Sequence, residues 1–71
     1  MRISIEKNLL SIDNYNQIID IKNDLIVAEN IIIYGSDLRV IFLDKYRIVI
    51  KGLFKKIKLG DIINEIQNYN E

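Results

Sequence analysis

Apolar and polar residues alternate along most of the chain, and short polar pairs interrupt the alternation. A period of two puts every second side chain on one face, the signature of a half-buried β-strand. Ile3 and Ile5 alternate with Ser4 and Glu6, and Lys7-Asn8 reads as a tight turn. Leu10 and Ile12 share the next face, up to Asp13-Asn14. Ile19 and Ile21 run to Asn23-Asp24, and Leu25 and Val27 run to Glu29-Asn30. Ile31 and Ile33 lead into Gly35-Ser36-Asp37, after which Leu38, Val40 and Phe42 alternate with Arg39 and Ile41. Past Asp44-Lys45, Tyr46, Ile48 and Ile50 alternate with Arg47, Val49 and Lys51. Beyond Gly52 the parity is expected to change, with Leu53, Ile57 and Leu59 on one face and Lys56 and Lys58 on the other.

Asn and Asp recur at the breaks, where their tolerance of left-handed backbone suits a turn. The spacing leaves no room for crossover helices, so neighbouring strands should be antiparallel and joined by hairpins. The last segment changes period. Gly60 ends the strand pattern, Asp61 is a sound N-cap, and Ile62, Ile63, Ile66 and Tyr69 fall at helical spacing. The pattern therefore predicts one mainly β (α+β) domain spanning residues 1–71. Its architecture is an antiparallel meander of about six short strands over residues 1–59, followed by an amphipathic helix over residues 61–69.

A weak internal repeat refines this picture. Ile31-Ile32-Ile33-Tyr34-Gly35, followed by Leu38 and Val40, resembles Ile48-Val49-Ile50-Lys51-Gly52, followed by Phe54 and Ile57. In each copy an apolar triplet leads to a glycine inside a strand pattern, which marks a bulge or sharp bend. The repeat reads as two similar bent strand pairs, with the bends at Gly35 and Gly52.

The second face of the sheet is also apolar in places. Ile18, Ile26, Ile32, Ile41, Leu43 and Val49 all fall on the parity opposite the expected core. One short helix cannot cover them, so the sheet must fold over itself or pack on another molecule. Ile26, Ile32, Ile41, Leu43 and Val49 are accordingly candidate interface residues. Tyr34, beside Gly35, joins them as the aromatic anchor.

Composition narrows the range of functions. The chain is 71 residues long, short for a self-sufficient core, and contains neither Cys nor His. Disulfides, thiolate or imidazole metal sites, a Cys nucleophile and His acid–base chemistry are all ruled out. Ser4, Ser11 and Ser36 have no His to activate them, and Gly35, Gly52 and Gly60 are too far apart for a phosphate loop. No enzyme activity, cofactor, metal or small-molecule substrate is expected. Hydrophobic residues make up 49% of the chain, which points to a folded domain, and the formal net charge is +0. Near-zero charge gives no field to steer nucleic acid and no barrier to self-association. The densest basic run is Lys51, Lys55, Lys56 and Lys58. It is either a small phosphate-binding stripe for nucleic acid or anionic lipid, or a solvated edge that resists aggregation. There is no membrane-spanning apolar run, and the first residues lack a signal-peptide pattern, so a cytoplasmic location is expected.

The same residues carry a family resemblance. The run from Leu10-Ser11-Ile12-Asp13-Asn14-Tyr15 through Ile31-Ile32-Ile33-Tyr34-Gly35-Ser36-Asp37-Leu38 to Ile48-Val49-Ile50-Lys51-Gly52 and Ile57 resembles the YabP/YqfC family of sporulation proteins. That family shows an "I-x-I-x-G-x-x-L-x-I" element, a hairpin and a second "I-x-I-x-G-x-I" element at comparable spacing. The resemblance spans residues 3–59 and departs from the pattern at Phe54-Lys55-Lys56. It implies a non-enzymatic protein of Firmicutes that takes part in endospore assembly, in the mother cell or forespore, through protein partners or self-association. It transfers no functional residues.

Overall fold

The computed structural model describes residues 1–60, and these form six strands in one antiparallel sheet. The strands are β1 (Arg2–Glu6), β2 (Leu9–Asp13), β3 (Ile18–Ile21), β4 (Leu25–Ala28), β5 (Ile31–Leu43) and β6 (Arg47–Leu59). The helix expected over residues 61–69 lies outside the described residues. The sheet order is β1-β2-β6-β5-β4-β3, so two long central strands each carry a short hairpin on the outer side. Four of the five connections are hairpins between paired strands; the exception is β2–β3, where residues 14–17 carry the chain to the opposite edge of the sheet.

The turns form where the sequence supplies residues that accept left-handed backbone. Asn14 and Asn30 adopt positive φ, as do Lys7 and, at the irregularity within β5, Asp37; these are the non-glycine residues that do so among those described. Between β5 and β6 the side chain of Asp44 closes the turn. Its Oδ1 accepts hydrogen bonds from the amides of Tyr46 and Arg47, each at 2.8 Å. The Asp44 amide in turn donates to the Arg47 carbonyl at 2.9 Å.

The long strands divide the sheet into two halves. In one half, β2 pairs with residues 47–51 of β6. In the other, β4 pairs with residues 31–34 of β5. Leu10, Ile12, Ile48 and Ile50 from the first half share one buried cluster with Ile26, Ala28, Ile31 and Ile33 from the second, and Leu38 sits between them. A single flat layer cannot bury seven Leu and Ile side chains below 2% exposure, yet seven are buried to that degree here. The sheet therefore curls, and its two halves cover the same core face from opposite sides. Each such side chain stabilises the fold by roughly 1.5–3 kcal/mol relative to remaining in water.

The curl turns on Gly35 and Gly52. A Cβ on Gly35 would collide with the carbonyl oxygen of Leu53 and approach Leu38 Cδ2 to 2.9 Å. A Cβ on Gly52 would lie 2.8 Å from the same Leu38 atom and 2.9 Å from the carbonyl oxygen of Asp37. Leu38 thus occupies the space that both missing side chains leave. This explains the spacing of a glycine followed three residues later by leucine. Three irregularities in β5–β6 pairing, at Tyr34/Gly35, Ser36/Arg39 and Val40/Phe42, produce the local twist.

Those irregularities also correct the expected parity. The face changes at Lys55, the extra residue between Phe54 and Lys56, and not at Gly52. Phe54 therefore packs on the core beside Ile57 and Leu59, while Leu53 is 64% exposed. Ile41 is the extra residue between Val40 and Phe42, so Phe42 pairs with Val49 on the outer face. In β3 and β4 the inward set is Ile18, Ile26 and Ala28 rather than Ile19 and Val27. Ile26, expected at an interface, is a core residue at 1% exposure. β4 reads Leu-Ile-Val-Ala, apolar throughout, so alternation alone could not orient it.

Gly35→Ala is predicted to destabilise the chain by about 3 kcal/mol, because the obstacle is backbone that cannot rotate away. Gly52→Ala should cost less, since its nearest backbone obstacle, the Asp37 carbonyl oxygen, lies at 2.9 Å rather than in outright collision. Urea denaturation of both variants checks the order.

Candidate interaction surfaces

The described residues hold little that could do chemistry. A shallow cleft of about 330 Å³ lies at the β5–β6 hairpin, lined by Asp13, Asn14, Phe42, Asp44, Tyr46 and Arg47. Both its acids are engaged. Asp13 Oδ1 accepts from Arg47 Nε at 2.6 Å, and Asp44 accepts from backbone amides. The hydrogen bond that Arg47 donates to Asp13, reinforced by the carboxylate's charge, holds the guanidinium more firmly protonated than usual. Tyr15 crosses to the same hairpin and donates its hydroxyl to the Asp44 carbonyl, while its ring rests on the core. The Asn14 amide donates to the Tyr46 carbonyl at 2.6 Å. These contacts join the end of β2 to the hairpin and leave no free acid–base pair in the cleft. Among the described residues, no group of three acidic side chains is arranged to hold a metal ion.

The free edges of the sheet differ in how they meet solvent. β1 and β3 are short, and β3 carries an irregularity between Ile18 and Asp20. Residues 53–59 of β6 form another edge, which carries Lys55, Lys56 and Lys58 and the bulge at Lys55. Lysines and bulges are ordinary means of blunting an edge. The fourth edge is residues 39–43 of β5, which pair with β6 on one side only. Here Ile41, Phe42 and Leu43 stand in sequence at 54%, 49% and 52% exposure. Leu43 shares the face of Ile48, Phe42 shares the face of Val49, and Ile41 is the extra residue between the paired positions. The three side chains therefore wrap a corner of the sheet. A run of three exposed apolar residues is unusual on a protein that works alone.

No family model, curated protein or solved structure matches the chain. The surfaces must be read on their own chemistry.

The expected interface residues do not form one patch. Ile32 and Tyr34 lie on the outer face of the β3–β4 half, half-buried. Ile41, Leu43 and Val49 lie at the other end, around Phe42. The sequence pattern placed Phe42 and Ile19 inward and left Leu53 on the core face. All three are exposed, because single-residue insertions shift parity without any mark in the alternation.

The basic run is split as well. Lys51 pairs with Arg39 in one half, whereas Lys56 pairs with Tyr34 in the other. The ammonium groups of Lys56 and Lys58 lie 5.9 and 5.8 Å from the Tyr34 ring centre, within cation–π range. Tyr34 and two of the lysines thus form one small polar-aromatic cluster, with Lys55 at the neighbouring bulge. No described helix is long and apolar enough to cross a membrane.

The hydrogen bonds from the amides of Tyr46 and Arg47 hold the Asp44 carboxyl below its ordinary value of 3.8. The folded state thus favours the carboxylate more than the unfolded chain does. That contribution is complete above the ordinary value and is lost as pH falls through the lower, folded one. An NMR titration of the Asp44 carboxyl should give a midpoint below 3.8. A midpoint at or above it contradicts the turn geometry.

Proposed function

We propose that this chain is a non-enzymatic assembly protein that acts through protein–protein contacts and associates with copies of itself. The observation that carries the reading is the corner formed by Ile41, Phe42 and Leu43 on the lysine-free edge of β5. The bulge at Ile41 interrupts the regular spacing of backbone donors and acceptors on that edge. The contact is therefore made by side chains around Phe42 rather than by open-ended strand addition, and it closes a small oligomer instead of extending a fibre. A net charge of +0 puts no long-range repulsion in its way.

The resemblance to the YabP/YqfC family supplies the setting, endospore formation. It rests on the two apolar triplets leading to Gly35 and Gly52, and on Leu38 between them. These residues sit at the bend of the sheet, so the motif is one of fold and leaves the partner surface to this chain's own edge. The rival use of Lys51, Lys55, Lys56 and Lys58 for nucleic acid or anionic lipid has less support. Lys51 is separated from the others, and two of the rest lie over Tyr34.

Sedimentation velocity over a concentration series tests the reading. The parent chain should show a mass that rises with concentration, and Phe42→Lys should remain a folded monomer over the same range. A parent that stays monomeric throughout overturns the proposal.

A further inference from the structure

The outer face of the β3–β4 half carries a groove of about 290 Å³ with a mostly apolar lining that includes Ile19, Val27 and Ile32. Its polar rim is Glu29 and Lys58, and Gly60 also lines it. The positions follow from the register. Lys58 pairs with Ile32, Ile32 with Val27, and Val27 with Asp20, next to Ile19. The floor is therefore one row running across four adjacent strands, from the β6 edge to β3. Three inter-strand steps make that row about 14 Å long.

The chain reaches the groove at a fixed point. The Gly60 amide donates to the carbonyl of Asn30, in the β4–β5 turn, at 2.8 Å. Gly60, the last described residue, thus lies at the groove itself, at the end of the β6 edge. The sequence of residues 61–71 carries Ile62, Ile63, Ile66 and Tyr69 at helical spacing, with Asp61, Glu65 and Glu71 and no basic residue. A helix over residues 61–69 would be about 13.5 Å long, the length of the row. So short a helix is marginal in water unless its apolar stripe is covered.

We infer that the occupant of this groove is the chain's own C-terminal segment, with Ile63 and Ile66 over Ile32 and Val27 and Asp61 beside Lys58. The match of length, the fixed departure point and the apolar floor select it. The segment covers the outer face of one half and leaves the Phe42 corner of the other half open. The inference is independent of what that corner binds.

The chain has no Cys, so Gln67→Cys gives a single site for a nitroxide label on the full-length protein. Paramagnetic broadening should remove the amide signals of Ile19, Val27 and Ile32 and spare those of Leu9 and Ser11 in the other half. Adding Ile66→Asp to the labelled chain should restore the lost signals while the spectrum of the β-core is unchanged. Intact signals at Val27 and Ile32 in the labelled parent overturn the inference, as does broadening that persists with Ile66→Asp. A mixture of spin-labelled, isotopically silent copies and unlabelled, isotope-enriched copies should show no broadening at these positions. Broadening in that mixture assigns the groove to a second copy and overturns the intramolecular docking.

Discussion

Leu38 sits between β5 and β6 in space that exists because residues 35 and 52 have no side chains. Two long antiparallel strands with ordinary residues at those positions would stay farther apart and bend less. With the glycines in place, the hairpin bends sharply enough that its two ends present their inner faces to each other. Each end carries a short hairpin, β1–β2 on one and β3–β4 on the other, and each hairpin brings Ile or Leu to the shared core. The fold thus gains a closed interior from a single sheet, without disulfide, metal or described helix. The strand order has the same form from either edge: a hairpin, a long strand, a second long strand, a hairpin. The weak repeat around Gly35 and Gly52 is the sequence counterpart of that near-symmetry.

Using one sheet for both walls of the core has a consequence outside. The inner face is consumed by the core, and the outer face and edges must meet everything else. Lysines and bulges blunt the β6 edge, and brevity limits β1 and β3. The corner at Ile41, Phe42 and Leu43 has a bulge but no lysine, and its three apolar side chains stay exposed. A chain of this length gains stability from covering such a surface. Association at that corner and docking of the C-terminal segment on the opposite half are two answers to the same shortage of interior.

Much of this was legible in the residues. The turns at Asn14 and Asn30 and the bulge at Asp37 follow from their tolerance of positive φ, and the paired bends follow from glycines within strand patterns. The inward faces of β1, β2 and the first part of β5 follow from simple alternation. What alternation could not reveal was the position of insertions. Ile41 and Lys55 each add one residue to one strand, and every side chain beyond them changes face. Phe42 was thereby misplaced inward and Leu53 onto the core face. β4 offers four apolar residues in a row, so alternation alone puts Ile26 on the surface, whereas its partner Ile33 belongs to the core. The exposed corner emerged only once these shifts were known.

The account rests on the two halves of the sheet sharing one interior. In a flat sheet of the same pairing, Ile50 and Ile33 would be about 20 Å apart along the long strands, far beyond contact. A methyl NOE experiment on the intact chain addresses this directly. The curled sheet predicts cross-peaks linking methyls of Leu10, Ile12, Ile48 and Ile50 to those of Ile26, Ile31 and Ile33. Cross-peaks confined within each group, with none between them, would contradict it.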